Sequence, residues 1–315
     1  MDISEVKGQD NAKRALAIAA AGGHNLIMIG PPGTGKTMLA QAIVSILPPP
    51  SLEEMIETTQ VYSSAGALRS QSFIHHRPFR SPHHSASPAS IIGGGQNPKP
   101  GEISLAHRGI LFLDELPEFR RDVLEALRQP LESGKAFVSR ARGSLVFPSR
   151  FMLVAAMNPC PCGFYGDEER ACQCGAFEVQ RYQKKVSGPL LDRIDLQIHV
   201  PRVNIEDLRK KNADYSEGEA IRAQVSRARI LQEARLKPLG KLSNSELSSK
   251  ECDKLANLSE DAEAFIKKAF DKSFISARGY YRTLKVARTI ADLDGAEQVS
   301  AQHLAEAFSY RLKEI

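Results

Sequence analysis

Residues 24–47, HNLIMIGPPGTGKTMLAQAIVSIL, decide the fold of this 315-residue chain. A short apolar run from Leu26 to Ile29 meets a glycine-rich turn, and an apolar-periodic segment follows that turn. This order of patterns predicts a buried strand, a tight loop and a helix. The loop carries the full G-x-x-x-x-G-K-T pattern, which in this setting is far more specific than an isolated glycine motif. We therefore predict a phosphate-binding loop rather than an ordinary glycine turn.

The residue types of this loop define its chemistry. Glycines let the backbone fold closely around phosphates, so that its amides point inward. Lys36 reaches the terminal phosphates, and the hydroxyl of Thr37 holds Mg2+. The predicted ligand is ATP, together with Mg2+. The predicted ATP-binding residues of the loop are Gly30, Pro31, Pro32, Gly33, Thr34, Gly35, Lys36, Thr37 and Met38.

Two further apolar runs end in polar residues. GILFLDE (109–115) places Asp114 at a strand end near the magnesium, where Glu115 orients or deprotonates an attacking water. FMLVAAM (151–157) ends at Asn158, whose amide holds that water or senses the terminal phosphate. A solvated acidic turn after a buried strand, and a turn-forming asparagine, are the simpler alternatives. Together with the phosphate loop, these strand ends predict ATP hydrolysis.

Composition excludes several classes of protein. Apolar residues make up 42% of the chain and charged residues 25%, which is ordinary for a soluble globular protein. No segment approaches the roughly 18 consecutive apolar residues of a membrane helix. The first residues, MDISEVKGQD, have neither the basic start nor the apolar run of an export signal. We therefore expect a cytoplasmic protein with no membrane partner.

Cysteines are concentrated in one stretch, NPCPCGFYGDEERACQCG (158–175). In a reducing compartment, closely spaced cysteines are more often metal ligands or redox groups than disulfides. We predict a structural Zn2+ site that closes this polar loop, although the spacing departs from the commoner C-x-x-C pairs. An iron–sulphur cluster, a redox pair and free thiols are the alternatives. The predicted zinc ligands are Cys160, Cys162, Cys172 and Cys174.

Two segments contain basic residues and no acidic ones. Residues 66–101 are rich in Ser, Gly and Pro and form a basic, loop-rich insertion, whereas residues 133–150 predict a β-hairpin. We predict sequence-independent contacts with DNA phosphates, with solvated surface loops as the alternative. Histidine pairs in the first segment are assigned a phosphate-contacting or structural role rather than a metal site. The predicted DNA contacts are Arg69, Arg77, Arg80, Lys135, Arg140 and Arg142.

The motif set resembles one branch of the AAA+ ATPases. The stretches LRQPLESG, NPCPCG, SGPLLDRIDL and SARGYYRTLKVARTIADL resemble the magnesium-chelatase-like ATPases, specifically the ComM/YifB family linked to DNA uptake and recombination. The resemblance covers about residues 6–312. It implies an α/β fold, with a three-layer AAA+ P-loop core over residues 1–201. A small all-α lid over residues 202–315 would follow, because helical periodicity begins after Pro201.

The resemblance also implies a ring, expected to be a hexamer, with ATP between neighbouring subunits. Arg193 matches the arginine finger of the family, with an ion pair to Asp192 or Asp195 as the alternative interpretation. Arg278 and Arg282 are both candidates for the lid arginine that senses nucleotide. In related AAA+ helicases, insertions at the positions of the two basic segments line the central pore and grip nucleic acid.

The predicted function is an ATP-driven DNA motor, a branch-migration helicase of homologous recombination and natural transformation. The alternative is a magnesium chelatase ATPase subunit, which remodels a partner enzyme that inserts magnesium into a porphyrin. A non-hydrolysing nucleotide switch is a third hypothesis. ComM-like proteins usually carry a Lon-like domain ahead of the ATPase, and this sequence begins only a few residues before VKGQ. It is therefore expected to be an excised segment or a shortened natural form.

Overall fold

A computed structural model describes residues 1–68, 73–95, 98–140, 143–204, 206, 209, 215–272 and 276–311. Arg69 and Arg142, two of the predicted DNA contacts, lie outside these residues, as does the side chain of Arg140. No helix in the described ranges is both long enough and apolar enough to span a membrane.

Strands and helices are interspersed up to His199, and among the described elements only helices follow. The strands are β1 (Leu26–Ile29), β2 (Phe79–Arg80), β3 (Gly93–Gly94), β4 (Lys99–Pro100), β5 (Ile110–Leu113), β6 (Lys135–Arg140), β7 (Gly143–Pro148), β8 (Met152–Met157) and β9 (Leu196–His199). The helices up to β9 are α1 (Asp10–Gly22), α2 (Lys36–Ala42), α3 (Leu52–Ala65), α4 (Pro88–Ile92), α5 (Glu102–Leu105), α6 (Arg121–Ala126), α7 (Arg128–Ser133), α8 (Ala176–Gln183) and α9 (Gly188–Leu191). Those after β9 are α10 (Tyr215–Leu236), α11 (Ser249–Leu255), α12 (Glu260–Lys272), α13 (Ala277–Leu293) and α14 (Ala301–Ser309).

The chain divides into two compact units. Residues 27–44 and 49–193 form the first, here called the α/β unit. Residues 1–26, 45–48 and 194–315 form the second, here called the helical unit. The division at residue 201 that the sequence suggests stays a prediction.

A parallel sheet organises the fold, with five strands in the described residues in the order β2-β5-β8-β1-β9. Every residue of β1, β5 and β8 is buried, as expected for continuous apolar runs in a sheet covered on both faces. Ile110 pairs with Met152 and Leu113 with Ala155 in parallel register. The carboxyl ends of these strands therefore share one edge of the sheet. The predicted α/β fold class is confirmed.

The second basic segment forms a hairpin. Strands β6 and β7 pair antiparallel from Lys135 opposite Pro148 to Arg140 opposite Gly143. Ala136 and Val138 are buried, whereas the intervening Phe137 is exposed. This alternation shows that one face of the hairpin packs on the unit and the other faces solvent.

The helical unit contains a buried polar network around Asp292, near the end of α13. Asp292 is only 2% exposed. Its carboxylate accepts hydrogen bonds from Arg235 at 2.6 and 2.9 Å, from Arg288 at 3.1 Å and from the Asn244 amide at 2.9 Å. Buried charges persist only when they are paired in this way, so Asp292 fixes the position of both arginines.

We predict that Asp292→Ala lowers the free energy of unfolding by roughly 3–5 kcal/mol, because it leaves two arginines without their shared carboxylate. Asp294→Ala is the matched control, since Asp294 forms an exposed pair with Arg14 at 3.3 Å. That exposed pair is worth less than about 1 kcal/mol. Urea denaturation of both variants measures the difference in the free energy of unfolding. Equal losses in the two variants would contradict the stabilising role of Asp292.

Candidate nucleotide-binding site

The phosphate loop joins β1 to α2 in the conformation its glycines permit. Gly33 and Gly35 have φ angles of 81° and 83°, in the left-handed region that side chains disfavour. Apart from the glycine itself and its two neighbours in the chain, no described residue has an atom within 4 Å of a Cβ placed at either position. The loop therefore leaves open space beside its backbone, which suits the close approach of a phosphate group. Thr34 is buried, and its hydroxyl donates to the carbonyl of Pro31 at 3.0 Å, which stiffens the turn.

Lys36 connects this loop to the end of β8. Its Nζ donates to the carbonyl oxygens of Gly30 and Pro31, both at 2.7 Å, and to Oδ1 of Asn158 at 3.3 Å. Burial lowers the pKa of Lys36 to about 8, and the charge of Asp114 partly offsets this effect. The structure thus brings the predicted phosphate-binding lysine and the predicted sensor asparagine together.

Thr37 and Asp114 form the second link across the sheet edge. The Thr37 hydroxyl donates to Oδ2 of Asp114 at 2.7 Å, and Oδ1 of Asp114 accepts from the backbone N–H of Glu115 at 2.9 Å. Hydroxyl and carboxylate oxygens are the ligands that Mg2+ prefers. These two residues, which the sequence predicts as magnesium ligands, fit the ion in chemistry and in position relative to each other.

Glu115 occupies an unusual backbone conformation. Its φ is 51° and its ψ is 46°, which is left-handed for a residue that is not glycine. Such strain is concentrated at functional sites, where the surrounding structure holds it in place. The side chain is 58% exposed and lies next to Asp114 in the chain. Its role as catalytic base stays a prediction.

The three predicted arginines differ in their surroundings. Arg193 donates to Glu132 at 2.6 Å and to the carbonyl of Pro189 at 2.7 Å within the α/β unit. In the helical unit, Nε of Arg282 lies 3.8 Å from Asp195, whereas Arg278 is exposed. Burial raises the pKa of Asp195, but hydrogen bonding to His24 and the charge of Arg282 outweigh burial and keep it below the ordinary value. The finger and sensor roles of these arginines stay predictions.

Four cysteines converge in the loop that follows Asn158. Their Sγ atoms all lie within 4.8 Å of one another, with 3.4 Å between Cys160 and Cys162 and 3.6 Å between Cys162 and Cys172. Backbone hydrogen bonds lower the pKa of Cys162 to about 6, which favours its thiolate. Four thiol groups at this separation fit the ligand set of a tetrahedral Zn2+ site. The fourth member of the cluster is Cys174.

The cysteine loop packs directly on the phosphate loop. Gly163 has a φ of 87°, and a Cβ there would lie 2.6 Å from Cδ of Pro32. Cys160 is fully buried, and Gln183 of α8 donates to the carbonyl of Pro159 at 3.1 Å. Sequence patterns did not reveal this contact, because Gly163 and Pro32 are distant in the chain and both read as turn formers. The cysteine loop and the phosphate loop are therefore in direct contact.

The two predicted DNA contacts of the first basic segment that the structure describes, Arg77 and Arg80, are paired with carboxylates. Arg77 donates to both oxygens of Glu54 at 3.0 and 2.9 Å, and Arg80 donates to both oxygens of Glu102 at 2.8 and 2.7 Å. Lys135 of the hairpin is exposed. Binding of DNA by these residues stays a prediction, and Lys135 is better placed for it than Arg77, whose side chain is 14% exposed.

We predict that Gly163→Ala weakens ATP binding more than Gly166→Ala does. Gly166 lies in the same loop with a φ of 77°, but beyond its two chain neighbours no described residue has an atom within 4 Å of its Cβ position. Both substitutions introduce about 1–2 kcal/mol of left-handed strain. Only the Gly163 variant also displaces Pro32 and the phosphate loop. Equilibrium binding of a fluorescent ATP analogue measures the difference, and equal affinities of the two variants would contradict the contact.

Comparison with known proteins identifies the family. The profile described as "Magnesium chelatase, subunit ChlI" matches residues 2–208, and the profile of the ChlI C-terminal region matches residues 216–311. Competence protein ComM of Haemophilus influenzae is 48% identical over 315 residues, which cover 99% of this chain and 60% of that protein. YifB of Escherichia coli is 47% identical over 311 residues, covering 98% of this chain and 60% of that protein.

A more distant relative extends the comparison to the chelatases themselves. The magnesium-chelatase 38 kDa subunit of Rhodobacter capsulatus is 26% identical over 347 aligned residues, covering 99% of this chain and 87% of that protein. The chain spans 60% of the length of its ComM and YifB relatives. The family expected from the sequence is confirmed: the chain belongs to the magnesium-chelatase-like AAA+ proteins, in the branch that includes ComM and YifB.

Proposed function

We propose that this chain is the ATP-hydrolysing motor of a DNA branch-migration helicase that acts in recombination and natural transformation. The observation that carries the proposal is the set of polar groups at one sheet edge. Lys36 contacts Asn158 there, and Thr37 contacts Asp114. Similarity to competence protein ComM supports a part in competence, and the acid-free basic segment 133–150 supports DNA as the substrate.

Each group at this edge has a part in hydrolysis under the proposal. Backbone amides of the loop bind the phosphates, and Lys36 exchanges its carbonyl partners for the terminal phosphate oxygens. When bound at Thr37 and Asp114, Mg2+ neutralises phosphate charge. Asn158 orients the attacking water and Glu115 takes its proton. These steps position reactants and stabilise charge, which is how phosphoryl transfer is catalysed.

Assembly into a ring completes the site under this proposal. In one copy, Arg193 pairs with Glu132, so that it must leave this carboxylate to act as an arginine finger. A neighbouring copy with bound ATP supplies the stronger anion, because terminal phosphate oxygens attract the planar guanidinium in two-point contacts. We therefore propose a closed ring, a hexamer, in which each Arg193 acts on the nucleotide of the next subunit.

The β6–β7 hairpin is the proposed DNA contact. It starts at the exposed Lys135, and the sequence of residues 133–150 also contains Arg140 and Arg142 and no acidic residue. The chain has a formal net charge of +5. Contacts of this kind neutralise phosphates without reading bases, which suits a motor that moves along any sequence.

A chelatase role is the second candidate, because the chain also matches the ChlI profile and the magnesium-chelatase 38 kDa subunit. In that case the ring remodels a partner enzyme rather than DNA. An ATP hydrolysis rate that does not change with DNA but rises with a protein partner would favour the chelatase role.

We further propose that the four-cysteine cluster binds one structural Zn2+. The loop between Asn158 and α8 is long and polar, so metal ligation stabilises it where apolar burial is scarce. Because Gly163 of this loop contacts Pro32, a bound metal also supports the phosphate loop.

We predict that Glu115→Gln retains ATP binding but loses ATP turnover by about 100-fold or more, with loss of strand movement, because the amide cannot accept the proton of water. Glu118→Gln is the matched control. Glu118 lies three residues after Glu115, and its exposed side chain pairs with Lys185. Phosphate release and branch migration of a synthetic four-way junction are the measurements. Normal turnover of the Glu115 variant would exclude the assigned base.

We predict that the purified chain contains about one zinc ion and that Cys172→Ser loses it, because a structural site needs all four ligands. Cys252→Ala is the matched control, since Cys252 is buried in a separate apolar cluster with Leu236 and Leu247. Elemental analysis measures the metal. Iron with visible absorbance would support the iron–sulphur alternative, and a metal-free protein of full thermal stability would contradict a structural metal.

A further inference from the structure

The sheet edge that carries Glu115 also receives a residue from the first basic segment. Strand β2 pairs in parallel with β5, with Phe79 opposite Ile110 and Arg80 opposite Leu111. The chain therefore leaves β2 on the same edge where it leaves β5 toward Glu115. His84 follows the end of β2 by four residues, inside the segment 66–101. Parallel pairing thus brings this histidine to the site.

His84 contacts the Glu115 carboxylate directly. Nδ1 of His84 lies 3.4 Å from Oε2 of Glu115. In this structure the pair is a close polar contact rather than a formed hydrogen bond. An ionised carboxylate can only accept, so a hydrogen bond between the two groups would have Nδ1 as its donor. Catalytic hydrogen bonds are often long or poorly aligned before substrate binds.

The histidine ring is itself held in place. Its centroid lies 4.0 Å from that of His83, and its edge faces Phe119 at 6.4 Å with the ring planes 81° apart. His83 in turn hydrogen-bonds the Ser85 hydroxyl at 2.8 Å. Contacts on two sides therefore limit rotation of the His84 ring and fix the direction of its donor.

Glu115 needs such a contact for its proposed role. Its side chain is 58% exposed, so little packing limits its rotamers. A general base acts only within hydrogen-bond reach of the proton that it removes. Ordering a flexible side chain of this kind costs conformational entropy, which a preformed contact reduces.

We propose that His84 is a positioning residue for Glu115, donating through Nδ1 to hold the carboxylate in the direction of the attacking water. This inference rests on the proposed function, in which Glu115 activates that water. It gives the first basic segment a defined part in hydrolysis, whereas its contact with DNA stays a prediction.

The test is steady-state ATP hydrolysis by His84→Phe and His84→Asn. Phenylalanine keeps the ring contacts with His83 and Phe119 but removes the donor, whereas asparagine restores an N–H near the position of Nδ1. We expect the Phe variant to lose about threefold to tenfold in kcat, the worth of one hydrogen bond, with KM unchanged. We expect the Asn variant to recover most of that loss. His199→Phe, an exposed histidine of β9, is the matched control with wild-type kcat.

A double-mutant cycle separates positioning from a structural effect. In a Glu115→Gln background, His84→Phe should cause no further loss of residual turnover. Wild-type kcat in the Phe variant, equal losses in the Phe and Asn variants, or an additive loss in the Gln background would each overturn the proposal. A wild-type chain without turnover, or a Glu115→Gln variant with full turnover, would instead show that the proposed function itself is wrong, and the role of His84 would fall with it.

Discussion

The parallel register of β1, β5 and β8 is the constraint on which the candidate site depends. It places the phosphate loop, Asp114 and Asn158 at one edge of the sheet. There Lys36 donates a hydrogen bond to Asn158, and Thr37 donates one to Asp114. Lys36 makes the most consequential of these links, because its ammonium group spans two loop carbonyls and the Asn158 amide. A one-residue slip of β8 against β5 would turn every side chain of the strand to the opposite face. Both strands are completely buried, so such a slip would force each side chain into a space packed for another, and this misfit keeps the edge intact.

Polar contacts tie the segments around this edge to the rest of the α/β unit. Glu54 and Glu102, which lie outside the first basic segment, pair with Arg77 and Arg80. Four cysteine thiols lie close together in the loop after Asn158, and Gly163 of that loop contacts Pro32. Both segments also contact residues of the candidate nucleotide site: Gly163 of the cysteine loop contacts Pro32, and His84 of the first basic segment contacts Glu115. A change in the insertion or in the cysteine loop is therefore expected to alter nucleotide chemistry without contacting the nucleotide.

Local sequence patterns predicted the strands that are fully buried and that end in polar side chains. Strands β1, β5 and β8 are continuous apolar runs that end in polar groups, and their bounds agree with the predictions to within a residue or two. Strand β2 has two residues, Phe79 and Arg80, which is too short to show periodicity. Because no pattern predicted β2, the approach of His84 to Glu115 was not predicted either. Ion pairs such as that of Arg193 with Glu132 join residues 61 positions apart, and no local pattern encodes such a distance. The roles of the arginines depend on nucleotide and on neighbouring copies, so they stay predictions.

The most direct test of the central claim is the rate of ATP hydrolysis in the presence and absence of single-stranded, double-stranded and branched DNA, at low and moderate salt. A motor that grips phosphates through basic side chains is stimulated by DNA, and the stimulation declines as salt displaces those contacts. We expect stimulation by at least one of these DNA forms at low salt and a smaller effect at moderate salt. A rate that is the same with every DNA at low salt would contradict the account of this chain as a DNA motor.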